Sequence, residues 1–253
     1  MNHSSIALVT GGSRGLGKDM ALSLARKGNH VIITYQQNKE QALQTVQALE
    51  ELNVKALALQ LNLSDTKFIP AFVATFKTSL QTHFQTTHFD ILINNAGMGA
   101  TVPFEQVTEA LFDEFLNVHF KSVYFLTQYC VPFMNNGGCI INISSGTTRY
   151  CNPGYSVYSS MKGALEVFTR YLAKELGHKG IRANVVAPGP VETDFNHAAI
   201  RNNPLMKERL ASLSPLGRVG AAEDIGGVVA FLCSEDARWV NGQRIEVSGG
   251  INI

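Results

Sequence analysis

Seven short apolar runs punctuate the chain, at residues 6–10, 30–35, 55–61, 89–93, 139–143, 181–187 and 244–247. Most are continuously apolar rather than alternating, the pattern of strands covered on both faces. Between them lie segments with helical spacing. Residues 20–27 are stopped by Gly28, and residues 40–52 carry Ala42, Leu43, Val46 and Leu49 on one side. Residues 68–84 read as a helix whose start is blurred by Pro70, and two helices fill 108–134. A long helix covers 155–176, a loop-and-helix excursion 191–214, and a last helix 222–233. Strand and helix alternate throughout, without a linker, repeat or low-complexity segment. The expectation is an α/β chain, residues 1–253 forming one doubly wound Rossmann domain around a parallel seven-stranded sheet with helices on both faces.

Composition narrows the function classes. With 253 residues, 45% hydrophobic content and a net charge of +1, nothing draws the chain to nucleic acid or to an anionic membrane. No apolar run is long enough to span a bilayer, and the stretch before the first strand is too short and insufficiently basic for a signal peptide. Cys130, Cys139, Cys151 and Cys233 are far apart and lack a Cys-x-x-Cys pair, so free thiols in a reducing, cytoplasmic compartment are expected. The histidines show no ligand spacing, so no metal is expected. Asn62 and Asn142 each open a glycosylation tripeptide, but both lie beside strands of a chain without a secretion signal.

Two stretches carry chemistry. After the first strand come Thr10, Gly11, Ser13, Arg14, Gly15, Leu16 and Gly17. Glycines at a strand–turn–helix junction let the backbone approach a diphosphate, and the helix start supplies amides and partial positive charge. Neither Gly-x-Gly-x-x-Gly nor a Gly-Lys-Ser/Thr sequence is present. The second stretch places Tyr158 four residues before Lys162, on one helical face, with Ser145 thirteen residues upstream at a strand end. Spacing alone is weak: Tyr35 and Lys39 repeat it at the end of a strand pattern, where no common face exists.

In register along the chain stand Thr10-Gly11 with Gly15-Leu16-Gly17, then Asn94-Asn95-Ala96-Gly97, Asn117, Ser145, Tyr158 with Lys162, and Pro188-Gly189. Together these resemble the short-chain dehydrogenase/reductase family over residues 6–250, in particular its 3-oxoacyl-carrier-protein reductase-like branch. The resemblance implies hydride transfer between a nicotinamide and a carbonyl or secondary alcohol. It implies Tyr158 as general acid, Lys162 as its charged neighbour and ribose ligand, Ser145 as donor to the substrate oxygen, and Asn117 as holder of a water that links the lysine to solvent. Asn94, Ala96 and Gly97 would wall the adenosine side, with Asn62 and Leu63 beside the adenine, although many members have aspartate where Asn62 stands. Pro188, Gly189, Val191 and Thr193 would meet the nicotinamide amide. Ser248 stands where many members have aspartate.

A phenol with a pKa of about 10 must fall by roughly 3 units to act near neutrality, about 4 kcal/mol. An ammonium at about 4 Å in an effective dielectric of about 20 supplies that much, so a charged Lys162 is expected to suffice. No acid occurs between Val31 and Asn38, and Arg14 and Lys39 stand ready for a 2′-phosphate, which favours NADP(H) over NAD(H). Residues 191–214, with Phe195, His197, Leu205 and Met206, are expected to form a substrate lid; Met98, Gly146 and Tyr155 are candidate pocket residues. The partner expected is a small carbonyl compound, and many relatives are homo-oligomers, dimers or tetramers. Two other readings fit the same motifs: an NAD-linked alcohol dehydrogenase, and a catalytically silent dinucleotide sensor. The complete set of Asn117, Ser145, Tyr158 and Lys162 weighs against the sensor.

Overall fold

The computed structural model describes residues 5–252. Its strands are β1 (Ile6–Val9), β2 (His30–Tyr35), β3 (Ala56–Gln60), β4 (Phe89–Asn94), β5 (Met134–Ile143), β6 (Arg182–Pro188) and β7 (Arg244–Val247). They form one parallel sheet in the order β3-β2-β1-β4-β5-β6-β7. The order turns back at β1, so the first and fourth strands adjoin and their carboxyl ends open a crevice, where ligands of such sheets bind.

Strand periodicity sorts the core. Ala7 and Val9 face one side with Val31, Ile33, Ile93 and Ile141, against α1 (Gly15–Ala25), α2 (Lys39–Glu50) and α9 (Glu223–Leu232). Ile6 and Leu8 face the other with Ile32, Leu92 and Ile140, against α3 (Ile69–Phe84), α5 (Ser122–Cys130) and α6 (Ser156–Leu176). Both faces being covered is why the runs are apolar without alternation. Pro70 sits in the first turn of α3, where a missing amide hydrogen costs no helical bond.

Two elements differ from the sequence expectation. β5 starts at Met134, several residues before the apolar run, because Phe89 pairs with Met134 ahead of a register shift in which Asn135, Asn136 and Gly137 are exposed. The helical stretch before it is α4 (Glu109–Leu116) joined to α5 through a π-helical turn, Asn117–Lys121, whose wider ring has Ser122 N–H donating to the Asn117 carbonyl.

A dry polar chain ties the middle of the fold. Asn94 Nδ2 donates to Thr127 Oγ1 (3.0 Å) and to Asn142 Oδ1 (2.8 Å), and Asn142 Nδ2 donates to Thr169 Oγ1 (2.8 Å). Asn94 and Asn142 are register partners on β4 and β5. The chain thus locks those strand ends against α5 and α6. Asn142→Leu should cost about 2–3 kcal/mol, because in the core one amide hydrogen of Asn94 loses its acceptor and the Thr169 hydroxyl oxygen loses its donor. Thr82→Ala, at an exposed helix position, should change stability by less than about 0.5 kcal/mol. Urea unfolding of the two variants checks the contrast.

Candidate active site

The glycine turn is built for close approach. Gly11 and Gly15 have φ of 66° and 54°, in the left-handed region. A Cβ at Gly17 would lie 2.2 Å from the Gly11 carbonyl oxygen, and one at Gly12 2.6 Å from the Ile33 side chain. Arg14, preceding α1, is extended and its side chain caps nothing, so the first amides of that helix are open to an anion. Leu16 packs against the core, and Ser13 accepts a hydrogen bond from Thr45 through its carbonyl (3.0 Å). These features fit a dinucleotide diphosphate.

The segment after β4 closes the turn from the side, and here the important asparagine is Asn95. Its Nδ2 donates to the carbonyls of Thr10 (2.9 Å) and Gly11 (3.3 Å), while Thr10 Oγ1 accepts from the amides of Asn95 and Ala96. Asn94 points the other way, into the buried polar chain. Strand alternation, which puts consecutive side chains on opposite faces, was the available signal. Asn62 Oδ1 holds the Ser64 amide (2.9 Å) and the Gln36 side chain (3.3 Å), at the mouth after β2 and β3. Leu63 is a core residue; its carbonyl accepts from Ser122 Oγ (2.7 Å).

At the end of β5 the two serines divide. Ser144 is buried and donates to Glu166 Oε1 (2.6 Å). Ser145 is half-buried and its hydroxyl meets the Tyr158 phenol. Thr147, through its amide and hydroxyl, also hydrogen-bonds Ser145 Oγ (3.2 and 3.0 Å). A network unseen in the sequence pins this segment. Arg244 Nε donates to Glu166 (2.8 Å), Nη1 to Glu246 (3.1 Å), and Nη2 to the Ser145 carbonyl and the Thr148 hydroxyl (3.3 and 3.1 Å). Burial works against the arginine's charge, but Glu166 and Glu246 win and raise its pKa. Gly146 is buried, near Glu246 and the Pro188 carbonyl.

Tyr158 and Lys162 are stacked on α6 as their spacing requires, with Lys162 Nζ 5.7 Å from the phenol ring centroid. Nζ donates to the Ile143 carbonyl at the end of β5 (2.7 Å). The electrostatics differ from the expectation. Burial drives the Tyr158 pKa up to about 12, which the Ser145 hydroxyl only partly opposes, and drives Lys162 down to about 8. Desolvation is the first cause of both shifts, since burial disfavours the charged form of each group. The protein's own groups therefore hold the phenol protonated across neutral pH.

Asn117 lies on the π turn, half-buried, and among the described residues its side chain makes no hydrogen bond. His119, two residues on, is the side chain of that turn which reaches Tyr158: the ring centroids are 5.1 Å apart and perpendicular. A lone histidine on a helix gave no signal in the sequence.

The excursion after β6 roots on the glycine turn. Gly189 N–H donates to the Val247 carbonyl (3.0 Å), Val191 bridges to Gly220, and Thr193 packs over Gly15. Arg14 pairs loosely with Asp194 (3.9 Å), which Arg201 holds more tightly. The short α7 (Phe195–Ala198) and α8 (Pro204–Ser212) follow. Phe195 lies against Tyr158 (5.9 Å between centroids), and Asn196 donates to the Tyr155 hydroxyl (3.3 Å). His197, Leu205 and Met206 are exposed. A cleft of about 660 Å³ lies elsewhere on this excursion, among Glu192, Arg201, Lys207 and Arg218, and is lined by none of Ser145, Tyr158 or Lys162.

The family model described as Enoyl-(Acyl carrier protein) reductase matches residues 11–252. The chain belongs to the short-chain dehydrogenase/reductase family. Its relatives in that family include an uncharacterized oxidoreductase of Methylorubrum extorquens, 39% identical over 97% of each chain. A hydroxynaphthalene reductase-like protein of Metarhizium anisopliae is 37% identical over 97% of this chain and 94% of its own. Among solved structures, an angucycline C-6 ketoreductase with bound NADP superposes with a TM-score of 0.93 at 36% identity, covering 98% of this chain and 96% of its own. This short-chain dehydrogenase/reductase is thus an enzyme, an oxidoreductase acting between CH–OH and carbonyl groups.

The buried ammonium has a stability cost. Lowering the Lys162 pKa from 10.5 to about 8 corresponds to a penalty on the order of 3 kcal/mol at neutral pH. The folded state binds fewer protons than the unfolded one between those values, so stability rises with pH across that window. Lys162→Met should therefore be more stable than the parent at pH 7, by up to that amount less the lost bond to Ile143. The advantage should shrink as pH rises from about 8 towards 10.5. Chemical unfolding at pH 7 and pH 10 checks both statements.

Proposed function

We propose that this enzyme is an NADPH-dependent ketone reductase that acts on bulky, ring-bearing carbonyl compounds. The observation that carries the reading is the convergence of Ser145, Tyr158 and Lys162 beside an uncapped, glycine-lined helix start. The nicotinamide dinucleotide supplies, when bound, a hydride for the carbonyl carbon. The amides of Gly15, Leu16 and Gly17 hold the diphosphate, while Gly11 and Ala96 give it room. Pro188, Gly189, Val191 and Thr193 border the nicotinamide end, and Lys162 holds the ribose. The Ser145 hydroxyl donates a hydrogen bond to the substrate oxygen, and Tyr158 gives that oxygen its proton.

A protonated phenol is the form that reduction consumes. Burial keeps Tyr158 in that form, with a pKa of about 12. NADPH is favoured over NADH because no acid lies between Val31 and Asn38 and Arg14 is exposed at the turn, with Asp194 3.9 Å away as its ionic partner among the described residues. The ketoreductase with bound NADP is a relative of matching kind.

The rim supports the proposed substrate class. Tyr155 and Phe195 flank Tyr158, with centroids 6.2 and 5.9 Å away, and Phe115 lies behind it at 6.4 Å. Met98 packs beside them. Such a rim suits a flat ring more than a linear thioester, in keeping with the hydroxynaphthalene and angucycline substrates in the relatives' names; 3-oxoacyl thioesters are the comparison class. Residues 191–214 serve as the lid, with Phe195 as its inward face. Tyr124, Val167 and Tyr171 are exposed on α5 and α6, which supports a homo-oligomer built on those helices. Among the described residues no helix is long and apolar enough to cross a membrane.

The test is NADPH oxidation over a panel of polycyclic aryl ketones, quinones, keto sugars and 3-oxoacyl thioesters. Turnover should be greatest on the ring ketones, and Tyr158→Phe should lower kcat by at least about 100-fold. Arg14→Glu should weaken NADPH by about 10- to 100-fold with little effect on NADH. Turnover on thioesters alone would overturn the substrate class, and a fully active Tyr158→Phe would overturn the mechanism.

A further inference from the structure

We infer that His119, rather than Asn117, is the fourth functional residue of this site: its Nδ1 accepts a hydrogen bond from a water that the Lys162 ammonium also holds. The inference rests on the reading of Tyr158 and Lys162 as the proton-handling pair.

The imidazole is 1% exposed. Its Nε2 lies 2.8 Å from the Met98 carbonyl oxygen, a contact that requires the hydrogen on Nε2. Nδ1 is then a lone-pair acceptor, and it has no partner among the described residues. Buried polar atoms are almost always partnered by protein or by ordered water. The donor available is Lys162. Its ammonium has three hydrogens, and among the described residues only the Ile143 carbonyl takes one. His119 and Lys162 both border the Tyr158 ring, at 5.1 Å between ring centroids and 5.7 Å from Nζ to centroid. The lysine's charge is also felt at His119, where it adds to burial in holding the imidazole neutral. A neutral acceptor so placed stabilises the charged lysine.

The backbone is arranged around this ring. On the π turn, residues two apart point to nearly opposite sides, so Asn117 and His119 cannot both face Tyr158. A Cβ at Gly97 would come within 2.8 Å of His119 Cε1, so the turn after β4 leaves room for a ring there. A purely space-filling role would be better served by an apolar ring, which strands no buried nitrogen. Among the described residues, the titratable groups tied to the Lys162 ammonium are Tyr158 and His119; Glu166, one turn on along α6, is engaged by Ser144, Thr148 and Arg244, and Tyr155 packs against Tyr158.

The experiment is a carbon-13 NMR titration of the Lys162 Cε in the full chain, assigned by its loss in Lys162→Met. The parent should titrate near pH 8. His119→Leu and the ring-preserving His119→Phe should move the midpoint down by about one unit. His119→Asn, which restores an acceptor, should bring most of it back, and Asn117→Leu should leave it in place. The alkaline limb of kcat against pH should follow the same order. A midpoint that moves with Asn117→Leu and not with His119→Leu overturns the inference, as does an equal shift in the Leu and Asn variants of His119. The lysine titration needs no turnover, so a protein that reduces no ketone would sink the functional reading while the role of His119 is still decided.

Discussion

An ammonium buried at the end of β5 is the constraint on which the site depends. Lys162 is held out of water by the core beneath α6 and gives one hydrogen to the Ile143 carbonyl. Desolvating a charge is expensive, and it is tolerated only where surrounding dipoles are fixed in advance. The fold supplies that fixity twice. The Asn94–Asn142–Thr169 chain locks the ends of β4 and β5 against their helices. The Glu166–Arg244–Glu246 cluster holds the serine segment down. Reactivity here is less a matter of one residue than of a buried edge that two polar networks keep from relaxing.

The same sheet edge presents the glycine turn and the proton-handling groups side by side because of strand order. β1 and β4 adjoin at the reversal, and β5 is the next strand out. The glycine turn, the Asn95-Ala96-Gly97 segment and Ser145 are therefore three consecutive carboxyl ends, and α6 lays Tyr158 and Lys162 across the last of them. The excursion after β6 then comes back over Gly15, so the wall of the cleft and its cover share a root.

Most of the architecture was legible from apolar runs and their spacing: all seven strands appear, and β7 spans the run read for it. The misses have local causes. The start of β5 is polar and glycine-rich because it lies where the ladder shifts register, so hydrophobicity could not reveal it. Around the candidate site, motif spacing anticipated that Ser145, Tyr158 and Lys162 lie together, since each is set by a strand end or a helical turn. It could not separate Asn94 from Asn95, which differ only in the face they present. It could not find His119 or Arg244, because their surroundings come from segments far apart in the chain. Nor could it report burial, which is invisible in a sequence and here pushes the phenol's pKa up and the ammonium's down.

The π turn between α4 and α5 behaves as a one-residue insertion in an otherwise continuous helix. Its wide ring is a poorer hydrogen-bonding arrangement than the α-helix on either side, so local energetics favour its removal. Deleting one residue would straighten the helix, but it would also turn everything before the deletion by about 100° relative to everything after it. Phe115 would leave the Tyr158 cluster, or α5 would lose its seat on α3. The irregular turn thus lets one helix satisfy two demands out of phase with each other: core packing set by α5, and contact with the reactive edge set by the residues before it. A chain of this fold that regularised the helix would gain a better helix and lose the alignment between its core and its chemistry.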